Sequence, residues 1–185
     1  MAAPQAIALE APPPGTDAVS APERTRQLVR EHFNPVWRLL RRLGVPSDSL
    51  EDAAQEVFVV LARRVEAIAP GSEKSYLFGT ALRVAKGIRR RNARERLRHE
   101  PLEDEYLRDL ATPEAELERR RRLALLQELL GKLQDPERTV FVLFELEGLT
   151  LVEIARLLEL PRGTVASRLR RARSRFVRAL KARKR

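Results

Sequence analysis

From Glu23 to the end of the chain, apolar side chains return every three or four positions, and no segment alternates with a period of two. That periodicity predicts helices throughout and an all-α fold. Breaker and cap residues divide it into elements. A first helix runs from Glu23 to about Arg42 and stops at Gly44 and Pro46, a glycine stop followed by a residue that cannot continue a helix. Ser49 is placed to cap a second helix, with Leu50, Ala54, Val57, Leu61, Val65 and Ile68 on one stripe, before Pro70-Gly71 breaks it. Ser72 caps a third helix through Tyr76, Leu77 and Leu82. Thr112-Pro113 sets a cap ahead of proline at the first helical position. The helix it starts runs to about Leu133, with Leu123, Leu126, Leu129, Leu130 and Leu133 as its apolar side. Asp135-Pro136-Glu137 repeats the start signal for a helix ending at Gly148. Thr150 and Glu153 have capping-box spacing for a short helix over 151–159, and Leu160-Pro161 leads into a long final helix.

Charge divides the chain further. Of 36 cations, 31 are Arg, and the net charge is +10. A chain this basic meets a polyanion, and Arg suits forked contacts with phosphates and guanine edges. Between Arg83 and Arg98, eight cations face Glu95 alone. From Glu100 to Glu118, eight acids face Arg108 alone, and from Leu151 onward twelve cations face Glu153 and Glu159. Two basic helical blocks separated by an acidic spacer favour two contacts along one polyanion over two solvated faces. The organisation read from this is a disordered Ala/Pro-rich tail at 1–22, a helical domain at 23–98, an acidic flexible linker at 99–116 and a second helical domain at 117–182.

Much is excluded. With no Cys there is no disulfide scaffold or thiolate site, and His32 and His99 are too few for a metal cluster. No cofactor is expected. No stretch approaches the roughly 20 apolar residues that span a bilayer, and the opening residues lack a secretory pattern, so a soluble, cytoplasmic protein without membrane insertion is expected. Asp52 and Glu56 share a helix turn, but no His, Cys or glycine-rich loop converges with them, so an enzyme is not the reading.

Two faces carry chemistry. In the final helix, Val165, Leu169, Ala172, Phe176 and Leu180 form a packed back; Thr164, Ser167, Arg171, Ser174 and Arg178 lie opposite, flanked by Arg170 and Arg175. A short capped helix, a tight turn and a longer basic helix outline a helix-turn-helix. Arg162, Thr164, Ser167, Arg168 and Arg171 would then reach base edges or flanking phosphates, with Arg170, Arg175 and later arginines on the backbone. In the second helix, Asp52, Gln55, Glu56 and Arg63 surround Val59 opposite the apolar stripe, and an apolar residue ringed by charge suits a partner surface.

The residues go beyond these outlines. Glu145-Leu-Glu-Gly-Leu-Thr, then Glu153-Ile-Ala, then Gly163-Thr-Val-Ala-Ser-Arg-Leu-Arg-Arg-Ala-Arg173 closely resembles region 4 of bacterial RNA polymerase sigma factors, in the extracytoplasmic-function (ECF) group of the sigma-70 family. Asp52-Ala-Ala-Gln-Glu-Val-Phe58 resembles region 2 of the same group. The resemblance covers roughly 25–98 and 117–180. It implies that the last helix reads the promoter's −35 element, that this domain docks on the β flap, and that the Asp52–Arg63 face binds the β′ clamp coiled coil of core RNA polymerase. Residues 76–91 occupy the −10 recognition and melting segment. There Tyr76 stands where Trp is common, Arg83 where Asn is common and Gly87 where Asp is common. Tyr76 suits either stacking on a base or packing in the core, while Arg83, Lys86, Arg90 and Arg91 can hold the DNA backbone and the separated strand. An anti-sigma factor is implied as a further partner. The rival reading is an autonomous helix-turn-helix regulator, which has no use for the Asp52–Phe58 face.

Overall fold

The computed structural model describes residues 20–95 and 113–183, and every regular element among them is helical. Residues 1–19 of the Ala/Pro tail and residues 96–112 lie outside the described residues. The flexible linker expected over 99–116 ends earlier than that, because a helix already begins at Pro113. Helix α1 (Ala21–Arg42) starts two residues earlier than the apolar period indicates, because Ser20 and Glu23 close a capping box and Pro22 fits the first turn. Helix α2 (Leu50–Ala62) packs against α1 and against α3 (Glu73–Glu95). Val36, Leu39, Leu40, Val57, Leu61, Leu77 and Phe78 fill the space between the three.

Two expectations for α2 fail. It stops at Ala62, so Val65 and Ile68 are buried from a separate 3-10 turn at Val65–Ala67 rather than from the helical stripe. Arg24 of α1 is the reason: its guanidinium donates to the carbonyls of Val65 (2.9 Å) and Ile68 (2.8 Å) and pairs with Glu73 at 2.9 Å. Those carbonyls find a cation where a longer α2 would have given them amides. Nor does the Ser49 hydroxyl cap the helix; it donates to the neighbouring Asp48 carboxylate.

In the second half, α4 is Pro113–Gly131, so Leu133 is buried just beyond its end, not on its stripe. α5 (Asp135–Phe141) passes into a π turn at Val142–Leu146 instead of continuing as one α-helix to Gly148. The wide turn is closed by Glu147 N–H donating to the Val142 carbonyl at 3.0 Å, and Gly148 turns away at φ +73°. Helices α6 (Leu151–Leu158) and α7 (Arg162–Arg183) follow. Val140, Leu143, Ile154, Val165 and Ala172 are fully buried among them, and Phe141 stacks on Phe176 with centroids 4.8 Å apart.

The two halves dock, a feature the sequence does not signal. Arg138 of α5 donates from Nε to the Arg42 carbonyl at 2.7 Å, satisfying the open end of α1 from the other domain. Arg42 in turn pairs with Glu147 at 2.7 Å. Arg89 of α3 donates to the Leu43 carbonyl and lies 3.4 Å from Asp135. Leu157 of α6 sits close over Gly79 of α3, where an added Cβ would stand 3.3 Å from it.

Candidate nucleic-acid and partner surfaces

The helix-turn-helix is built as its residues dictate. The Thr150 hydroxyl accepts from the Glu153 amide, and the Glu153 carboxylate accepts from the Thr150 amide at 2.7 Å, so the box closes reciprocally. The bonds it accepts from the Thr150 amide and then the Thr150 hydroxyl hold the Glu153 carboxyl below the ordinary carboxylate range. Helix α6 ends one residue before Glu159, which adopts the left-handed conformation at φ +53°. Pro161 then offers its carbonyl to the amides of Thr164 and Val165, starting α7.

On α7 the predicted back is buried at Val165, Leu169 and Ala172. The predicted reading residues divide by their tethers. Arg162 and Arg170 are exposed and Arg168 half-buried, and none makes an ion pair among the described residues. Thr164 and Ser167 are half-buried, and the Ser167 hydroxyl donates back to the Thr164 carbonyl at 2.9 Å. Arg171 and Arg175 lie 3.4 and 3.2 Å, through Nε, from the carboxylate of Glu137 on α5. On the opposite flank, Arg173 donates from Nε to Glu145 at 2.6 Å and lies over the Phe144 ring at 5.2 Å. Locally, Glu137 is part of the Asp135-Pro136-Glu137 start signal of α5. An acid four residues ahead of a Phe in a buried helix was its one available hint.

Helix α3 presents Arg83, Lys86, Arg90 and Arg91 to solvent, with Gly87 open among them. Arg83 also donates to the buried Thr80 hydroxyl at 3.2 Å. Tyr76 is half-buried against the core, so packing accounts for at least part of its role. Arg89, counted with the basic block, is instead drawn into the domain interface, where burial lowers its pKa.

On α2, Asp52, Gln55 and Glu56 are exposed, as is Arg63 just past its end, and Val59 is 43% exposed in their midst. The structure adds Phe33 of α1, 39% exposed and stacked on Phe58 at 6.1 Å between centroids. Phe33 lies at the edge of the apolar stripe of α1, one turn from Val36 and two from Leu40. No described helix is long and apolar enough to cross a membrane.

Comparison with known proteins bears on the two domains separately. Sigma-70 region 2 matches residues 28–95, and sigma-70, region 4 matches residues 123–176. The chain belongs to the sigma-70 family. Its relatives place it in the ECF group. The ECF RNA polymerase sigma factor SigE of Mycolicibacterium smegmatis is 35% identical over 150 residues, covering 80% of this chain and 58% of the relative. The ECF RNA polymerase sigma-E factor of Haemophilus influenzae is 32% identical over 155 residues, covering 79% of this chain and 82% of its own. Among solved structures, CnrH in complex with the cytosolic domain of CnrY aligns with a TM-score of 0.62 at 25% identity, covering 88% of this chain and 95% of that one. The sigma factor RpoE from Bartonella quintana, solved with the anti-sigma factor NepR, shares the fold with a TM-score of 0.67 at 20% identity, over 84% and 96% of the two chains.

Proposed function

We propose that this protein is an alternative sigma factor that binds core RNA polymerase in the cytoplasm and directs promoter recognition and transcription initiation, with no catalytic chemistry of its own. The observation that carries the reading is the presence, on one chain, of both a sigma region 2 with an exposed Asp52–Val59 face and a sigma region 4 with an arginine-lined α7. In this reading α7 contacts the −35 duplex through Arg162, Thr164, Ser167, Arg168, Arg170, Arg171 and Arg175. Arg83, Lys86, Arg90 and Arg91 hold the −10 segment with Tyr76 beside them. Asp52, Gln55, Glu56, Val59 and Arg63 meet the β′ clamp coiled coil, and region 4 docks on the β flap. An anti-sigma protein is the regulatory partner that this likeness supports.

Run-off transcription from fragmented host DNA, by core polymerase with and without the protein, tests the proposal. Discrete new transcripts are expected, and aligning their start sites gives both promoter elements. Arg171→Ala should reduce promoter-specific initiation with core affinity kept, whereas Gln55→Ala with Glu56→Ala should weaken core affinity first. Duplex binding without core binding would instead establish an autonomous regulator.

A further inference from the structure

We infer that Glu137 is a positioning residue for the −35 contact: from beneath the recognition helix it holds Arg171 and Arg175 so that their outer nitrogens face DNA. The inference rests on the sigma-factor reading of α7 given above.

Glu137 is 3% exposed, one of two buried polar side chains among the described residues. A carboxylate taken out of water needs compensating charge or hydrogen bonds. Its Oε2 is enclosed and receives no hydrogen bond, so the compensation comes from the two guanidinium groups, at 3.4 Å from Oε1 and 3.2 Å from Oε2. Both approach through Nε. An arginine engaged at Nε keeps Nη1 and Nη2 free, and that outward fork is what grips a guanine edge or a phosphate. The arginine side chains remain 57% and 37% exposed, so the fork ends are accessible while the stems are held. Positions 171 and 175 are one helical turn apart on the flank of α7 facing α5, so a single carboxylate reaches both.

The arrangement has two consequences. It limits the orientations of Arg171 and Arg175 before DNA arrives, which favours a contact that depends on direction, namely a base edge. It also offsets one positive charge on the DNA-facing side of the domain, which restrains binding to any duplex regardless of sequence. Removing the carboxylate should therefore weaken discrimination and strengthen indiscriminate binding together, a combination that mere loss of structure does not produce.

The test uses the full-length protein and two labelled duplexes, one carrying the −35 element found by transcript mapping and one of scrambled sequence, titrated over a range of salt. Glu137→Gln keeps the side-chain shape and removes the charge. The expected result is a fall of about tenfold in the ratio of specific to scrambled affinity, the scale of one good arginine–guanine contact. The slope of log affinity against log salt on the scrambled duplex should steepen by about 0.9, one phosphate contact's worth. In an Arg171→Ala, Arg175→Ala background, Glu137→Gln should change neither quantity further. An unchanged ratio and slope in Glu137→Gln, a parallel loss on both duplexes, or an undiminished effect in the Arg171→Ala, Arg175→Ala background would each overturn the inference. If Arg171→Ala together with Arg175→Ala leaves the ratio intact, the reading of α7 fails instead, whatever Glu137 does.

Discussion

Gly44 is where the docking of the two domains is most exposed to a single substitution. It stands at φ +90°, and a Cβ built there would lie 2.6 Å from Nη1 and 3.0 Å from Cζ of Arg138. Gly44→Ala therefore does two separate things. It strains the backbone, at about 1–2 kcal/mol for an L-residue in the left-handed region. It also drives the Arg138 guanidinium out of its seat, because no Cβ tolerates an approach of 2.6 Å. The second effect is bounded by what Arg138 contributes there. Its 2.7 Å hydrogen bond to the Arg42 carbonyl is charge-assisted and worth about 1.5–3 kcal/mol before the cost of burying the cation. That cost is visible in the Arg138 pKa, brought down to about 10 by burial and then by the nearby Arg89 charge, against the attraction of Asp135.

A double-mutant cycle separates the two effects. In an Arg138→Ala background the clash has nothing to strike, so Gly44→Ala should retain the strain of about 1–2 kcal/mol and nothing more. The two substitutions together should then cost less than their sum, by about 1 kcal/mol. Unfolding followed by Trp37, the single tryptophan and a residue of α1, reads the stability. Because the chain has no cysteine, labels at Ala62→Cys and Ala179→Cys report the docking by energy transfer without competing sites. Transfer should fall in Gly44→Ala and in Arg138→Ala, and no further in the double variant. Additive stabilities with unchanged transfer would refute the docked arrangement of α1 and α5.

Two other predictions concern the helix-turn-helix. Thr150→Ala removes the cap of α6 and should cost about 1 kcal/mol near neutral pH. The folded-state pKa of Glu153 lies below its unfolded value of 4.5, so the capping box stabilises above that value and its contribution fades as pH falls through the folded pKa. Thr150→Ala removes only the hydroxyl's share, since the Thr150 amide still binds the Glu153 carboxylate. The stability gap between wild type and Thr150→Ala should accordingly narrow in acid, as followed by thermal melts between pH 7 and pH 2; a gap that widens in acid would contradict the assigned hydrogen bonds. Glu159→Gly should stabilise the protein by about 0.5–1 kcal/mol, since glycine adopts φ +53° without the Cβ penalty that glutamate bears. A lower melting temperature in that variant would mean that the Glu159 side chain contributes more than its backbone strain costs.

What the sequence made legible follows a physical pattern. The Thr150–Glu153 box and the Val165, Leu169, Ala172 stripe are local: their partners lie within one or two helical turns, so spacing alone reveals them. The end of α2 was missed because its cause, Arg24, is 41 residues from Val65 in the chain. The π turn after Phe141 likewise leaves no mark on an apolar period that differs from 3.6 for a single turn. Arg89 and Glu137 give no local sign of their cross-helix pairing, for the same reason from opposite sides. Each reads locally as an ordinary surface charge, and each is withdrawn by a partner on another helix, Asp135 in one case and Arg171 with Arg175 in the other.

The docking of the two halves combines polar contacts with a shared apolar cluster. The buried residues of the first three helices and of the last four join in one continuous apolar cluster. The polar contacts between the halves are Arg138 on the Arg42 carbonyl, Arg42 on Glu147, and Arg89 between the Leu43 carbonyl and Asp135, with Leu157 over Gly79 among the apolar ones. A carbonyl at a helix end and a guanidinium both find good partners in water, so separation exchanges these bonds for hydration with a small net change. Leu39 or Leu143 could not be released on such terms, because their exposure has no aqueous substitute. Substitutions at Arg138 or Gly44 should therefore loosen the docking at the modest stability cost worked out above, whereas exposing Leu39 or Leu143 would cost the core itself.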